Sequence, residues 1–159
     1  PRDAVLFCLD EFATLGHMQT IENAAGQIAG FGVKLWPILQ DLGQLKTLYK
    51  DRWETFFGNA GVLQFFGNTD LTTLKWISEK LGHTTLRVMT KGEVSYKQAA
   101  STGATGESWQ NDVQPLITVD ELSRIFSRHD PLCRQLVLWD GRAPMILQRA
   151  YYDKHEMFQ

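Results

Sequence analysis

The chain has 159 residues, of which 43% are hydrophobic and 21% charged, and a formal net charge of −2. These values describe ordinary globular material sufficient for one compact domain, which excludes a disordered chain and two full domains. The near-neutral balance leaves no electrostatic footprint for a broad nucleic-acid surface, and no run reaches the roughly 18 apolar residues of a membrane span.

The chain opens on Pro1-Arg2-Asp3 rather than on Met and enters a hydrophobic segment at once, so further sequence is expected upstream. Residues 4 to 9 (Ala-Val-Leu-Phe-Cys-Leu) form a continuous apolar run that stops at Asp10-Glu11. Continuous rather than alternating hydrophobicity predicts a strand buried on both faces, as in a parallel sheet, with Cys8 as a buried small hydrophobe. Helical spacing follows from Met18 to Ala29, with Ile21, Ala24, Ala25 and Ile28 on one face and Gly30 and Gly32 at its end. Residues 33 to 39 predict a second buried strand ending at Gln40-Asp41, although Pro37 is awkward in a central strand and a bulge or a local break is an alternative there. A short helix from Asp41 to Tyr49 and a helical turn from Trp53 to Phe57 lead to a third buried strand between Gly61 and Gly67. Asp70 is the expected N-cap of a helix from Leu71 to Leu81, with Gly82 closing it. Alternation of strands and helices at these lengths predicts βαβ units and a mostly parallel sheet with helices on both faces. Trp36, Phe65 and Phe66 are read as core.

After residue 83 the pattern changes. Thr84 to Thr90 alternates like an edge or antiparallel strand, and the small polar residues 98 to 112 predict a flexible surface loop. Thr118-Val119-Asp120-Glu121 has the form of a capping box for a helix to Phe126. Gln135 to Trp139 and Met145 to Arg149 flank Asp140-Gly141-Arg142-Ala143-Pro144 as a closing β-hairpin. Cys8 and Cys133 supply neither a disulfide framework nor zinc spacing.

The richest chemistry lies at Leu6-Phe7-Cys8-Leu9-Asp10-Glu11, where an apolar strand delivers two adjacent carboxylates to its C-terminal end. That is the Walker B pattern. In open α/β sheets ligands bind beyond the carboxyl ends of the strands. One carboxylate there can hold Mg²⁺ through its waters, and its neighbour can orient an attacking water. Asp10 takes the metal role and Glu11 the water role. The competing reading is a strand end with solvated acids. Gln40 ends the next predicted strand at the equivalent edge, where an amide can donate to a phosphate oxygen and accept from water. Its competing reading is a cap on the following helix. A phosphate loop, G-x-x-x-x-G-K-[ST], is absent: no Gly-Lys dipeptide occurs. His17, His83, His129 and His155 match no metal spacing and are read as surface or packing residues. Lys46, Lys50 and Arg52 are read as charges favouring a helix C-terminus.

Several strings together resemble the TraG/TraD-type coupling proteins of conjugative type IV secretion. They are Leu9-Asp10-Glu11-Phe12-Ala13-Thr14-Leu15-Gly16, Ala29-Gly30-Phe31-Gly32-Val33-Lys34 and Gln40-Asp41-Leu42-Gly43-Gln44-Leu45. The order continues through residues 53 to 61, Asn68-Thr69-Asp70-Leu71, Leu81-Gly82-His83-Thr84-Thr85, Asp120-Glu121-Leu122, Gly141-Arg142-Ala143-Pro144 and Tyr151-Tyr152. The resemblance spans nearly the whole of residues 1–159 and is weakest over 98–112. It implies an α/β, RecA-like P-loop NTPase fold, here the C-terminal part of a motor domain lacking the Walker A portion. It also implies ATP and Mg²⁺ as cofactors, with Asp10 and Glu11 as the acidic pair and Gln40 as the polar strand-end residue. Further implications are a homo-hexamer at the cytoplasmic face of the bacterial inner membrane, and relaxase or relaxosome proteins, single-stranded DNA and secretion-channel components as partners. The phosphate loop and membrane helices would precede Pro1. No arginine finger can be nominated, since the helix before the second strand offers Gln27. The isolated segment is expected to be inactive. Two other readings are a non-hydrolysing module that docks a relaxase or secretion component, and a metabolic P-loop enzyme, against which the coupling-protein strings argue.

Overall fold

The computed structural model describes residues 5–24, 32–91, 107–153 and 156. Strand β1 (Val5–Leu9) pairs parallel with β2 (Val33–Pro37), in register from Val5↔Val33 to Leu9↔Pro37. Between them lie a 3-10 turn (Phe12–Leu15) and helix α1 (Gln19–Ala24); the expected continuation of α1 to Ala29 falls outside the described residues. Pro37 is the last residue of β2, and Ile38 N–H still donates to the Leu9 carbonyl at 3.0 Å, so the ladder passes the proline without a break.

Helix α2 (Leu42–Tyr49) starts where Asp41, in extended conformation, accepts from Gln44 N at 2.9 Å. Leu42, Leu45 and Tyr49, spaced i, i+3, i+7, form its buried stripe. A 3-10 turn (Lys50–Arg52) and α3 (Trp53–Gly58) follow, then β3 (Val62–Phe65). Helix α4 (Leu71–Leu81) is capped as expected: Asp70 accepts from Thr73 N at 2.8 Å, and Gly82 ends the helix at φ +84°. Strands β4 (His83–Lys91) and β5 (Glu107–Pro115) form an antiparallel ribbon, from His83↔Pro115 to Lys91↔Glu107. Helix α5 (Val119–Ile125) begins at the reciprocal capping box between Thr118 and Glu121. Strands β6 (Arg134–Trp139) and β7 (Met145–Gln148) make the closing hairpin, turning through Gly141 at φ +70°.

Among the described residues, parallel pairing is confined to β1–β2. The third strand does not join them; β3 pairs antiparallel with β6, giving a separate three-stranded sheet β3–β6–β7. Among the described residues nothing pairs with the outer edge of β2 or the outer edge of β3. Residues 107–112, expected in a loop, are strand; their small polar character reflects a ribbon open to solvent, and residues 98–106 lie outside the described set.

Among the described residues, two apolar clusters form the core. The larger joins Phe65, Leu74, Ile77, Leu122, Phe126 and Leu136 from β3, α4, α5 and β6, with Phe126 directly after α5. The smaller joins Phe12, Leu45 and Tyr49. Several residues expected inside are not. Leu6 is 55% exposed, Trp36 50% and Phe66 47%, and Cys8 is exposed with a free thiol; only Phe65 of the three aromatics read as core is buried. The apolar runs of β1 and β2 encode burial that no described residue supplies. No helix among the described residues is long and apolar enough to cross a membrane.

Candidate functional site

Because β1 and β2 are parallel, their C-terminal ends lie at one edge, and this edge carries Asp10, Glu11 and Gln40. The acidic pair and the strand-end amide thus lie at one edge of the β1–β2 pair. All three residues are exposed.

The acidic pair sits on a tightly fastened turn. Glu11 has φ 48° and ψ 49°, the left-handed region that non-glycine residues rarely occupy. Its N–H donates to Asp10 Oδ1 at 3.1 Å, and its carbonyl accepts from Thr14 N at 2.8 Å and Thr14 Oγ1 at 2.9 Å. Phe12 N–H donates to the Ile38 carbonyl at 2.9 Å, tying the turn to the exit of β2. The Phe12 side chain is fully buried, stacked on Tyr49 with centroids 5.9 Å apart and planes 7° apart, with Phe56 at 5.9 Å on a tilt. One turn thus presents two carboxylates to solvent while its next residue anchors in the smaller core.

Gln40 leaves β2 just before α2. Asp41, not Gln40, caps that helix, which removes the capping explanation for the Gln40 side chain. The Gln40 backbone is held from both sides: its N–H donates to Gln44 Oε1 at 3.2 Å, and its carbonyl accepts from Asn68 Nδ2 at 3.3 Å. Asn68 follows β3, so this bond brings the C-terminal ends of β2 and β3 together across strands that do not pair. Leu42 N–H donates to Thr73 Oγ1 at 2.9 Å, a buried bond that fixes α2 against α4 beneath the same edge. Sequence reasoning met Asn68 only within a familiar string; its signal was position, a polar residue just beyond a third strand.

A second polar cluster lies behind the acidic turn. Glu22 is only 5% exposed, accepting from His17 Nε2 and from Arg52 Nε, each at 2.8 Å. His17 is thus a packing histidine that serves a buried carboxylate. The basic trio disperses: Arg52 serves Glu22, and Lys46 Nζ lies 4.4 Å from the Trp53 ring centroid. Burial is the largest influence on the Tyr49 hydroxyl, pushing it above its ordinary value of 10.0; the Met18 N–H it accepts from opposes this and nearby Glu22 adds to it.

Among the described residues no group of three or more His, Cys, Asp or Glu is placed to hold a metal. The donor set at the edge, two carboxylates and an amide, fits Mg²⁺ held by one or two carboxylates with water and substrate phosphates, and does not fit an all-protein cage.

The chain is similar to conjugal transfer and coupling proteins. Residues 4–126 match the family model described as "TraM recognition site of TraD and TraG". A probable conjugal transfer protein TraG from Sinorhizobium fredii is 31% identical over 153 residues, covering 95% of this chain and 23% of that protein. Protein VirD4 from Agrobacterium fabrum is 28% identical over 165 residues, covering 99% of this chain and 22% of its own length. Among solved structures, the bacterial conjugative coupling protein TrwBdeltaN70, unbound, superposes with a TM-score of 0.67 at 16% identity, over 94% of this chain and 32% of that one. The plasmid coupling protein TrwB in complex with ADP and Mg²⁺ gives a TM-score of 0.63 at 14% identity, over 98% and 33%. The structural likeness establishes the fold: a partial RecA-like α/β domain. The chain spans about a fifth to a quarter of the length of the curated relatives it matches.

Proposed function

Since this chain belongs to the TraG/TraD family of coupling proteins, we propose that it is the water- and metal-handling half of an ATP-hydrolysing motor that drives conjugative transfer. The observation that carries this reading is the shared edge of β1 and β2, which gathers Asp10, Glu11 and Gln40 at the C-terminal ends of a parallel pair. In this reading Asp10 holds Mg²⁺ through water, and Glu11 orients and accepts a proton from the attacking water. Gln40 reports on the γ-phosphate, donating to a phosphate oxygen from a backbone that Gln44 and Asn68 hold still. Bound Mg²⁺ would supply charge that offsets the phosphates.

The unpaired outer edges of β2 and β3, and the exposed apolar residues of β1 and β2, support the other part of the reading. Strands from the rest of the protein complete the sheet there and bring the phosphate loop to the Asp10–Glu11 edge. The complete protein works as a homo-hexamer at the cytoplasmic face of the bacterial inner membrane. It takes relaxase or relaxosome proteins and single-stranded DNA as partners and hands substrate to a type IV secretion channel. The 159-residue chain alone, without a phosphate loop, turns over no ATP.

Glu11→Gln in the full-length protein tests this directly. Loss of a general base lowers turnover by about 10²–10⁴-fold, while binding of a non-hydrolysable ATP analogue stays at the parental affinity. Turnover near the parental rate sinks the assignment of Glu11. A second reading, a docking module for a relaxosome protein, is favoured by the description of the matching family model as a recognition site. Nucleotide-independent retention of a TraM-type protein by this chain, with Glu11→Gln leaving transfer intact, would favour that reading.

A further inference from the structure

Glu11 occupies a conformation that ordinarily selects glycine. Among the described residues five glycines have positive φ, and only Glu11, Lys50 and Cys133 do so with a side chain. At Glu11 the side chain is exposed and makes no cap bond, so the turn rests on its backbone bonds to Asp10 Oδ1, to Thr14 and, through Phe12 N–H, to Ile38, and on what anchors Phe12 beneath it.

Phe12, the next residue, is the deepest side chain of the smaller core and lies flat against Tyr49. Tyr49 is itself buried, closing on Phe56 at 4.6 Å and His17 at 5.1 Å. Its hydroxyl accepts from Met18 N–H at 3.4 Å. The segment from residue 11 to residue 18 therefore leaves β1, anchors on one face of the Tyr49 ring through Phe12, and is met again by the same residue at Met18. Behind it, Glu22 joins His17 to Arg52, beyond the end of α2. Tyr49 ends α2, the helix whose other end follows Gln40.

We propose that Tyr49 is a positioning residue: by clamping Phe12 and Met18 it holds the acidic turn in the left-handed conformation that aims Glu11 at the nucleotide edge. This rests on the reading of Glu11 as the water-orienting base. Tyr49 touches no substrate in this role and acts only through the turn. The ring makes the larger contribution, because it stacks on Phe12, and the hydroxyl adds the tie to Met18.

The test uses the full-length protein and measures kcat, KM for MgATP and melting temperature for Tyr49→Leu, Tyr49→Phe, Glu11→Gln and the double variant Tyr49→Leu/Glu11→Gln. Misaiming a reacting group by about 1 Å costs up to about 10²-fold, so Tyr49→Leu is expected to lower kcat by about 10- to 100-fold, with KM within about twofold of the parent. Tyr49→Phe keeps the stack and restores kcat to within about threefold of the parent. Residues acting through one another are non-additive, so the double variant turns over no more slowly than Glu11→Gln alone. A kcat for Tyr49→Leu within about threefold of the parent, or a loss that multiplies with that of Glu11→Gln, overturns the proposal. Should Tyr49→Leu not fold, Phe56→Leu removes the other ring against Phe12 and is read in the same way. If Glu11→Gln retains parental turnover, the reading of Glu11 fails. The clamp is then decided by the crystal structure of the Tyr49→Leu protein: Glu11 leaving positive φ supports it, and an unmoved turn overturns it.

Discussion

The two halves of this chain are built to different degrees of completeness. Around β3, α4, α5 and β6, six buried side chains from four parts of the sequence close on one another, and both helices carry side-chain N-caps. Around β1 and β2 the strands are apolar but half-exposed, and among the described residues deep packing centres on the Phe12–Leu45–Tyr49 cluster beneath the acidic turn. The first half is self-sufficient in its core, with the outer edge of β3 unpaired among the described residues. The second is a site whose local geometry is fixed while its strands still present apolar faces and a free edge. In the reading proposed above, strands written for burial but left this exposed mark where the rest of the protein would pack.

The largest expected effect sharpens that contrast. Leu136→Ala or Leu122→Ala removes a fully buried side chain from the larger core and should cost about 2–5 kcal/mol of unfolding free energy in this chain. Leu6→Ala, at a residue of the same type on β1, should cost about 0.5 kcal/mol or less here. In the full-length protein the Leu6→Ala cost should rise toward the core value. Denaturant titration of the three variants in both settings measures this, and equal Leu6→Ala costs would erase the distinction between the halves.

A smaller effect lies at the helix caps. Thr118→Ala removes the hydroxyl that accepts from Glu121 N–H and donates to Glu121 Oε2, leaves the backbone half of the capping box from Thr118 N–H to Glu121 Oε2, and should cost about 1 kcal/mol in either setting, because α5 belongs to the self-sufficient half. Thermal melts of the chain and of the full-length protein should shift in the same direction.

The smallest effect at neutral pH is confined to acid. Asp130 accepts from Arg134 Nε at 3.0 Å, Arg134 Nη2 at 2.9 Å and Arg134 N at 2.7 Å, closing the turn that enters β6. The Arg134 guanidinium is the main reason its carboxyl is held at about 2, below the ordinary 3.8. A depressed carboxyl contributes stability that is fully present above its unfolded value and is lost as pH falls through the folded one. The contribution should therefore be constant at neutral pH and disappear between about pH 4 and pH 2. Urea midpoints across that range, with Asp130→Asn as control, should show the acid loss flattened in the variant.

Much of this contrast was legible in the residues. Asp70, Gly82 and the Thr118–Glu121 pair announce helix ends because capping is local chemistry, written within a few positions. The strand-plus-acid pattern at Leu9-Asp10-Glu11 and the strand end at Gln40 were legible for the same reason. Pairing was not: β3 joins β6 across more than 70 residues, and nothing local distinguishes that partner from β2. Hydrophobicity misplaced Trp36, Phe66 and Cys8, because an apolar run states that a strand is to be covered without stating by which chain segment. Residues 107–112 looked like loop because the described side chains of that strand, from Trp109 to Asp112, are all exposed. Asn68 and Tyr49 escaped notice as site residues. Asn68 acts through a backbone carbonyl 28 positions away, and Tyr49 sits in a buried stripe that helical spacing explains without reference to Glu11.

That the site-bearing half is completed by the rest of the protein is tested most directly by amide hydrogen exchange, comparing the isolated chain with the full-length protein. The expected result is strong protection of α4 and β6 in both, with β2 amides that face no partner here exchanging fast in the isolated chain and becoming protected only in the full-length protein. Equal protection of those amides in both settings, or no protection of α4 and β6 in the isolated chain, would contradict the division into a self-sufficient half and a half-built site.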